Sequence, residues 1–229
     1  MTNRPVALVT GATRGIGRAI AVELSSTHRI LVGGRDAARA GELVAELDDA
    51  APFVCDLADE DAVAAACAGI GRLDVLVHSA GIGRSNDIGL ASRALWREVF
   101  ETNVFAVADL TRLLLPALEA ARGIVVAINS GAGFFSSPGG GVYAGSKFAL
   151  RALTDALREE MRGKVRVCSI HPGRTDTDMQ RELQAAMGNE HYDGARYVAP
   201  ESVAAAVRLA VDTPDNATIE QLSIRPSVS

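Results

Sequence analysis

The stretch Val6-Ala7-Leu8-Val9-Thr10-Gly11-Ala12-Thr13-Arg14-Gly15-Ile16-Gly17 joins a short apolar run directly to a glycine-rich turn and a helical pattern. Glycines at 11, 15 and 17 serve a tight turn, the close approach of a phosphate, and close packing of helix on strand. The start of the helix offers free N–H groups and a positive dipole end to a pyrophosphate. The position of this turn after the first strand favours a nucleotide-binding loop over a tight turn without a ligand.

The same alternation of apolar run and helical pattern continues along the chain. It predicts right-handed βαβ units and an α/β fold: a Rossmann-like, doubly wound, mainly parallel seven-stranded sheet with helices on both faces. No linker or repeat divides residues 1–229, which predicts one domain. The predicted strands are Val6–Val9, Arg29–Val32, Pro52–Cys55, Asp74–Val77, Ile124–Ile128, Val165–Ile170 and Thr218–Ile224. The predicted helices are Gly15–Ser26, Ala37–Leu47, Glu60–Ala68, Ser92–Ala121, Val142–Met161 and Ser202–Val211.

Two segments depart from the regular pattern. Pro116 lies inside the Ser92–Ala121 pattern, where it should kink or interrupt the helix. Residues 174–198 mix charge, glycine and short apolar pieces, which suits either a mobile flap over the crevice or an ordinary surface excursion. Three apolar residues of this segment have helical spacing: Met179, Leu183 and Met187. They suggest either a core-facing stripe or the apolar side of a lid.

Composition and charge exclude several classes of protein. The formal net charge of −5 and the pI near 5.4 give no electrostatic support to nucleic-acid binding. No signal-like N-terminus or membrane-length apolar run is present, so we expect a cytoplasmic protein without a membrane partner. The cysteines, Cys55, Cys67 and Cys168, have no metal-ligand spacing and are expected to be reduced core residues. No cluster predicts a metal site.

Tyr143 and Lys147 are four residues apart in a helical pattern, so their side chains share one face. A nearby ammonium favours the phenolate, which makes tyrosine usable as an acid or a base. Ser130 follows an apolar run, and a hydroxyl at the end of such a strand can point into the ligand crevice. By itself the pair is also compatible with ordinary surface residues.

With these motifs the chain resembles the short-chain dehydrogenase/reductase family, in its single-domain branch. The matching segments occur in the family's order and span residues 10 to 177. They are Thr10–Gly17 (Thr-Gly-x-x-x-Gly-x-Gly), Asp56-Leu57, Asn103, Ser130, Tyr143 with Lys147, and Pro172-Gly173 with Thr177.

The resemblance implies hydride transfer between a nicotinamide cofactor and a carbonyl or alcohol substrate. It implies Tyr143 as general acid/base, and Ser130 as the group that positions the substrate oxygen. Lys147 would hold the ribose hydroxyls and lower the pKa of Tyr143, and Asn103 would anchor a water relay. The implied cofactor-binding residues are Gly11, Thr13, Arg14, Gly15, Ile16, Gly17, Arg35, Asp56, Leu57, Ser79, Ala80, Gly81, Tyr143, Lys147, Pro172, Gly173, Thr175 and Thr177.

One segment differs from the family pattern: His78-Ser79-Ala80-Gly81 stands where Asn-Asn-Ala-Gly is usual. Ala80 and Gly81 keep the small residues that let the cofactor approach. We expect His78 to be a hydrogen-bonded structural residue rather than an extra acid-base group.

The end of the second strand bears on the choice of cofactor. Relatives that prefer NAD place an acid there, whereas this chain has Gly34 followed by Arg35, and Arg14 lies in the glycine turn. Two guanidiniums favour a 2′-phosphate, so we predict NADP(H) over NAD(H). Asp36 would be the NAD acid after a one-residue shift, but it is better explained as a helix cap.

Three hypotheses on function follow. The first is an NADP-dependent oxidoreductase, expected to form a homodimer or homotetramer through its long helices. The second is a non-catalytic NADP(H)-binding regulatory or redox-sensing protein of the same fold. The third, a nucleotide-sugar enzyme of the extended branch, lacks sufficient chain after Gly173. Phe134 and Phe135 follow the strand that ends before Ser130. Either they line an apolar substrate pocket or they are buried in the core or in an interface, and the sequence favours neither.

Overall fold

The computed structural model describes residues 4–186, 188–189 and 191–227. Met187 therefore lies outside the described residues. In this part of the chain seven strands form one sheet in the order β3-β2-β1-β4-β5-β6-β7, and every neighbouring pair is parallel. The strands are β1 (Val6–Val9), β2 (Arg29–Gly34), β3 (Ala50–Val54), β4 (Val75–His78), β5 (Ile124–Ile128), β6 (Arg166–Pro172) and β7 (Gln221–Ile224). The predicted sheet is confirmed, and it is wholly rather than mainly parallel.

Helices cover both faces of this sheet. They are α1 (Gly15–Ser25), α2 (Ala37–Glu46), α3 (Glu60–Cys67), α4 (Arg93–Phe100), α5 (Ala106–Ala121), α6 (Gly141–Glu160), α7 (Asp178–Ala186) and α8 (Pro200–Val211). Alternate residues of a strand enter opposite cores, as the two-residue period of a strand requires. In β1, Ala7 and Val9 join the core under α1, α2 and α8, whereas Leu8 joins the core under α3 and α5.

The predicted helical pattern over 92–121 is helical in the structure from Arg93 to Ala121, but its irregularity does not lie at Pro116. α4 ends at Phe100, a wider π-type turn spans Glu101–Phe105, and α5 then continues to Ala121. The expected interruption at Pro116 does not occur, because α5 runs through that residue. The break lies instead around the buried Asn103, whose side chain bonds outside its own helix. Such π-type turns are frequent at functional sites.

Residues 174–198 are more regular than the sequence suggests. They contain α7 and a single helical turn at Gly194–Arg196, and a parallel bridge joins Thr175 to Val198. The segment therefore leaves the sheet after β6 and returns beside its own starting point. Met179 and Leu183 on α7 face the cavity described below, which agrees with the lid hypothesis over the core-facing one.

Two further expectations concern the whole chain. All three cysteines are buried and free of disulfide bonds, as predicted for core residues. Among the described helices, none combines the length and the apolar character needed to cross a membrane.

The topology places a crevice at the centre of the sheet. β1 lies between β2 and β4, so the chain winds outward in opposite directions from this point. Ligands of open α/β sheets bind outside the carboxyl ends of the strands at such a switch point. The glycine turn after β1 and the His78–Gly81 segment after β4 both lie at this edge.

Candidate active site

The glycine turn is built so that main chain packs directly on main chain. Gly11 has a φ of +63°, and a β-carbon there would lie 2.9 Å from the Cα of Ala80. A β-carbon at Gly17 would collide with the carbonyl oxygen of Gly11. Both positions therefore require glycine, and the turn is held against the end of β4.

Thr10 fastens the turn to the neighbouring strand. Its hydroxyl donates to the carbonyl oxygen of Val77 at 3.3 Å and accepts from the N–H groups of Ser79 and Ala80, both at 3.1 Å. The side chain of residue 79 is not needed for these bonds, because they involve the main chain. The sheet centre therefore stays braced although this chain departs from the usual family sequence.

The start of α1 is open to an anion. Its cap residue, Arg14, makes no side-chain cap bond, whereas α2 and α3 begin at Asp36 and Asp59, whose carboxylates accept from first-turn N–H groups. Uncapped N–H groups at a helix N-terminus suit a phosphate. A β-carbon at Gly15 would lie 3.4 Å from Cγ2 of Thr177, so the segment after β6 meets the turn here.

An acid at the end of β2 would have to displace the side chain of Thr13. A β-carbon at Gly34 would lie 2.9 Å from Cγ2 of Thr13. Asp36 is a helix cap as predicted, because its carboxylate accepts from the N–H groups of Ala38 at 3.0 Å and Arg39 at 3.2 Å. Arg35 is exposed beside this cap.

The remaining cofactor candidates occupy the same edge of the sheet. Arg14 is exposed, and its guanidinium lies 4.0 Å from the carboxylate of Glu182 on α7. Asp56 follows β3 and accepts from the N–H group of Ala58 at 3.0 Å, with Leu57 half-buried beside it. Gly81 lies close to both Asn103 and Lys147, since a β-carbon there would be 3.3 Å and 3.9 Å from their side-chain Oδ1 and Nζ atoms.

Ser130 and Tyr143 come together at the end of β5 and the start of α6, where both side chains line one cavity. Oγ of Ser130 accepts from the N–H group of Ala132 at 3.1 Å, so its own hydrogen is free to donate to the phenol oxygen. That bond lowers the pKa of Tyr143, but burial raises it by more, and the net direction is upward. The pair therefore holds a protonated phenol at neutral pH.

Lys147 lies behind this pair as a buried cation. Its Nζ donates to the carbonyl oxygen of Ile128 at 3.0 Å and lies 5.7 Å from the ring centroid of Tyr143. Burial lowers the pKa of Lys147 to about 8, because the interior disfavours its charged form. The predicted lowering of the tyrosine pKa by Lys147 is untested by this geometry and stays a prediction.

Asn103 is buried, and its side chain makes three hydrogen bonds within the protein. Oδ1 accepts from the N–H of Ile82 at 2.9 Å, and Nδ2 donates to the carbonyl oxygen of Ile82 and to Oγ of Ser146, each at 3.0 Å. These bonds join the loop after β4 to α6 through the π-type turn.

His78 is the structural residue that the sequence predicts. Its Nε2 lies 2.8 Å from Oγ1 of Thr111, whose own hydrogen is donated to the carbonyl oxygen of Val107 at 2.7 Å. The ring nitrogen must therefore be the donor. Burial lowers the pKa of His78 to about 4, so the ring is neutral at physiological pH.

A cavity of about 660 Å³ lies against these groups. Ser130 and Tyr143 form part of its wall, Ile16 enters from α1, and Phe135 is 62% exposed at its edge. Phe134 instead packs on His171, with ring centroids 4.3 Å apart. Phe135 therefore has the expected pocket-lining role, and Phe134 has the expected packing role. The segment after β6 completes the wall with Pro172, Gly173, Arg174, Thr175 and Thr177.

Sequence reasoning missed two residues of this region. Thr10 braces the turn, and its place as the first residue of the glycine motif could have indicated this role. Arg225 follows β7, and its Nη1 donates to the carbonyl oxygen of His171 at 2.7 Å. Nothing local in the sequence connects Arg225 to β6, since the contact depends on the order of the strands. Within the described ranges, no cluster of histidine, cysteine and acidic residues could hold a metal ion.

The parallel sheet, the open glycine turn and the Ser130–Tyr143 pair with its buried lysine define an α/β oxidoreductase that binds a nicotinamide cofactor. A model of the short chain dehydrogenase family matches residues 5–188. The chain therefore belongs to the short-chain dehydrogenase/reductase family.

Individual relatives agree with this assignment. Serine 3-dehydrogenase of Agrobacterium fabrum is 34% identical over 233 residues, with 96% of this chain and 92% of the relative covered. An alcohol dehydrogenase structure from Thermococcus sibiricus, complexed with 5-hydroxy-NADP, superposes with a TM-score of 0.89 at 26% identity, covering 99% and 98% of the two chains. A metagenomic short-chain oxidoreductase in complex with NADP gives a TM-score of 0.83 at 31% identity, covering 98% of each chain.

Proposed function

We propose that this protein transfers a hydride between NADP(H) and a carbonyl or alcohol substrate, with Tyr143 as general acid in reduction and general base in oxidation. The observation that carries the proposal is that Ser130 and Tyr143 share the wall of the cavity, with Lys147 buried behind them. The bound nicotinamide supplies the hydride. The residues of the chain must then handle the proton and the developing negative charge on the substrate oxygen.

The two hydroxyl groups have different tasks in this scheme. Tyr143 is protonated at neutral pH, since burial raises its pKa, and in reduction it donates this proton to the substrate oxygen. Ser130 is held at Oγ by the N–H of Ala132, which orients its hydrogen toward the same oxygen position once substrate displaces the phenol contact. This division gives one proton donor and one hydrogen-bond donor at the reacting atom.

Lys147 holds the cofactor and resupplies the proton that Tyr143 donates to the substrate. An ammonium has three donors, and the carbonyl oxygen of Ile128 takes one, which leaves two for ribose hydroxyls. With a pKa of about 8, most of this lysine is charged at pH 7, yet it releases a proton readily. Asn103 fixes the loop after β4 against α6 and so sets the space beside Lys147 through which water must approach.

The choice of NADP(H) rests on the end of β2. Gly34, packed against Thr13, occupies the position where relatives that prefer NAD carry an acid. The carboxylate of Asp36 caps α2. Arg35 is exposed beside this pocket, and Arg14 is exposed across the turn. Within the described part of the chain, the Arg35 guanidinium is free for charge-assisted contacts with a 2′-phosphate, and that of Arg14 can join it by exchanging its exposed 4.0 Å contact with Glu182. Asp56-Leu57 and Ser79–Gly81 lie at the same edge and are proposed to contact the adenine side of the cofactor.

The cofactor assignment is tested by replacing Arg35 with glutamine. We expect the Kd of NADPH to rise about 10- to 100-fold, as for loss of a charge-assisted contact, and that of NADH to change less than about threefold. Fluorescence titration measures both. Arg39→Gln is the matched control, because Arg39 is an exposed arginine on α2 that pairs with Asp36. Equal losses for the two cofactors would contradict the assignment.

A non-catalytic NADP(H)-binding protein is the alternative. It has no need for Ser130 and Tyr143 together in a cavity wall or for a lysine whose burial disfavours its charge. A screen of aldehydes, ketones and hydroxy acids for NADPH oxidation or NADP reduction decides between the two. Turnover of any compound that Tyr143→Phe abolishes supports the enzyme, whereas tight NADPH binding without turnover across the panel supports the alternative.

We also propose a homodimer or homotetramer in the cytoplasm. Phe105, at the end of the π-type turn before α5, and Phe148 on α6 are 53% and 44% exposed, in the helical segments expected to pair. Exposed aromatic side chains favour burial in an interface. Light scattering after size-exclusion chromatography should give the mass of two or four chains, and Phe105→Glu with Phe148→Glu should lower it toward 23.9 kDa.

A further inference from the structure

The cavity wall carries an unbalanced positive charge. Its charged residues are Arg84, Arg174 and Arg225, and none of the described residues that line it is acidic. The chain as a whole has a formal net charge of −5, so this wall is not part of a generally basic protein. A cavity wall whose charged groups are all guanidiniums favours an anionic ligand.

Two of these arginines already have partners for their guanidinium groups. Arg84 donates from Nη2 to the carboxylate of Glu98 at 3.0 Å. Arg174 lies over the ring of Tyr197, with its guanidinium carbon 5.4 Å from the ring centroid. The charge of Arg84 is therefore already paired, whereas Arg174 keeps its charge but stacks its guanidinium on a neutral ring.

Arg225 differs because its contacts are with carbonyl oxygens. Nη1 donates to the oxygen of His171 at 2.7 Å and to that of Ile224 at 3.1 Å, and no carboxylate among the described residues forms an ion pair with it. These bonds fix the guanidinium without neutralising its charge. An anchored, unneutralised guanidinium is suited to bind a carboxylate or phosphate through its remaining donors.

The position of Arg225 is close to the reacting groups. A β-carbon at Gly131 would lie 3.2 Å from Nη2, so the guanidinium occupies the space left by the missing side chain. Gly131 directly follows Ser130, and a β-carbon at Gly173 would lie 3.2 Å from Cδ of the same arginine. The charge is therefore on the wall between Ser130 and the segment after β6.

We propose that the substrate carries an anionic group, carboxylate or phosphate, which Arg225 binds while Ser130 and Tyr143 hold the carbonyl oxygen. This inference rests on the function proposed above and adds the chemical class of the substrate. The carbon chain between the two groups contacts the apolar part of the wall, which includes Phe135, Pro138 and Pro226.

The turnover test compares matched substrates. Succinic semialdehyde and longer ω-oxo acids are assayed with NADPH beside their methyl esters and beside ω-oxoalkyl phosphates. We expect wild type to prefer at least one anionic series over the neutral esters, and the preferred series identifies carboxylate or phosphate. Arg225→Gln should lower kcat/KM for that series about 10- to 100-fold, mainly through KM, and should change the ester values less than about threefold.

Two controls separate this role from others. Arg84→Gln removes a cavity arginine whose charge is already paired, so it should change the acid-to-ester ratio less than about threefold. Arg225→Lys should recover part of the preference, since it keeps the charge but loses the planar fork. NADPH affinity, measured by fluorescence titration, should be unchanged in Arg225→Gln.

A binding measurement tests the inference even if no carbonyl compound is turned over. Calorimetry with the NADP-loaded protein should show succinate or a short alkyl phosphate binding more tightly than succinamide, and Arg225→Gln should remove this difference. Equal binding of charged and neutral probes would overturn the inference. A loss in Arg225→Gln that is the same for acids and esters, or that follows NADPH affinity, would also overturn it.

Discussion

The glycine turn and the catalytic wall face the same crevice but are built in different ways. The turn, Thr10–Gly17, depends on main chain packed against main chain, with Gly11 on Ala80 and Gly17 on the carbonyl of Gly11. The proposed catalytic wall depends on side chains, with Tyr143 beside Ser130 in the cavity lining and Lys147 buried as a cation. In the turn, the lack of space restricts which residues can be accommodated. In the wall, burial of the charged Lys147 lowers the stability of the fold.

This difference predicts opposite effects of mutation. An added methyl group in the turn has nowhere to go, so it should destabilise the fold and the cofactor site together. Removal of the buried charge in the catalytic wall should stabilise the fold while it removes function. The next three predictions test this contrast, from the largest expected change in the free energy of unfolding to the smallest.

Gly17→Ala should lower the free energy of unfolding by about 4 kcal/mol, because its β-carbon overlaps the carbonyl oxygen of Gly11. NADPH binding should fall by more than about 100-fold. Urea denaturation and fluorescence titration measure the two effects.

The matched control is Gly41→Ala. Gly41 is a helical glycine in α2 with no atom within 4 Å of an added β-carbon. Alanine should stabilise that helix by up to about 1 kcal/mol and leave NADPH binding unchanged. If the two variants lose similar stability, the turn is not limited by space.

Lys147→Met should raise the free energy of unfolding by about 2 kcal/mol at pH 7 and weaken NADPH binding. Burial holds the pKa of Lys147 at about 8, against an ordinary value of 10.5, which costs stability while the folded state keeps the charge.

The pH dependence provides the check on Lys147→Met. Between about pH 8 and 10.5 the unfolded chain binds more protons at residue 147, so the wild type gains stability as pH rises and the advantage of the variant shrinks. Urea denaturation across this range tests the sign. A variant that is less stable than wild type at pH 7 would show that the lysine stabilises the fold.

His78 should make the sheet centre sensitive to acid. Its folded pKa is about 4 against 6.5 in the unfolded chain, so stability is fully present above pH 6.5 and is lost as pH falls toward 4. The loss attributable to His78 should be about 1 kcal/mol at pH 5.5. His78→Asn should remove this part of the pH dependence in urea titrations.

Thr111→Val separates burial from hydrogen bonding at this site. It removes the bond to His78 but leaves the ring buried, and burial is the cause of the shifted pKa. The acid sensitivity should therefore persist in Thr111→Val. Its disappearance would assign the effect to the hydrogen bond.

Much of the fold was predictable because strand and helix periods are local properties. The seven strands, the parallel sheet and the glycine turn follow from such patterns. The interruption at Glu101–Phe105 was not predictable, since it depends on Asn103 bonding to Ile82 and Ser146 far along the chain. Pro116 gave a misleading local signal, because α5 continues through it.

The candidate site shows the same division. Motif spacing predicted that Ser130 and Tyr143 would meet, and the helical period placed Lys147 beside them. Arg225 could not be predicted, because only the β6–β7 pairing brings it to His171. The ion contact of Arg14 with Glu182 likewise depends on the path of residues 174–198.

The central claim is that the turn binds the cofactor while the Ser130–Tyr143 pair performs the proton transfer. A single-turnover measurement of wild type and Tyr143→Phe, each loaded with NADPH and mixed with a carbonyl compound found in the screen, tests it most directly. We expect the Kd of NADPH to stay within about threefold and the rate of NADPH oxidation to fall about 10²- to 10⁴-fold. An undiminished rate in the phenylalanine variant would contradict the account.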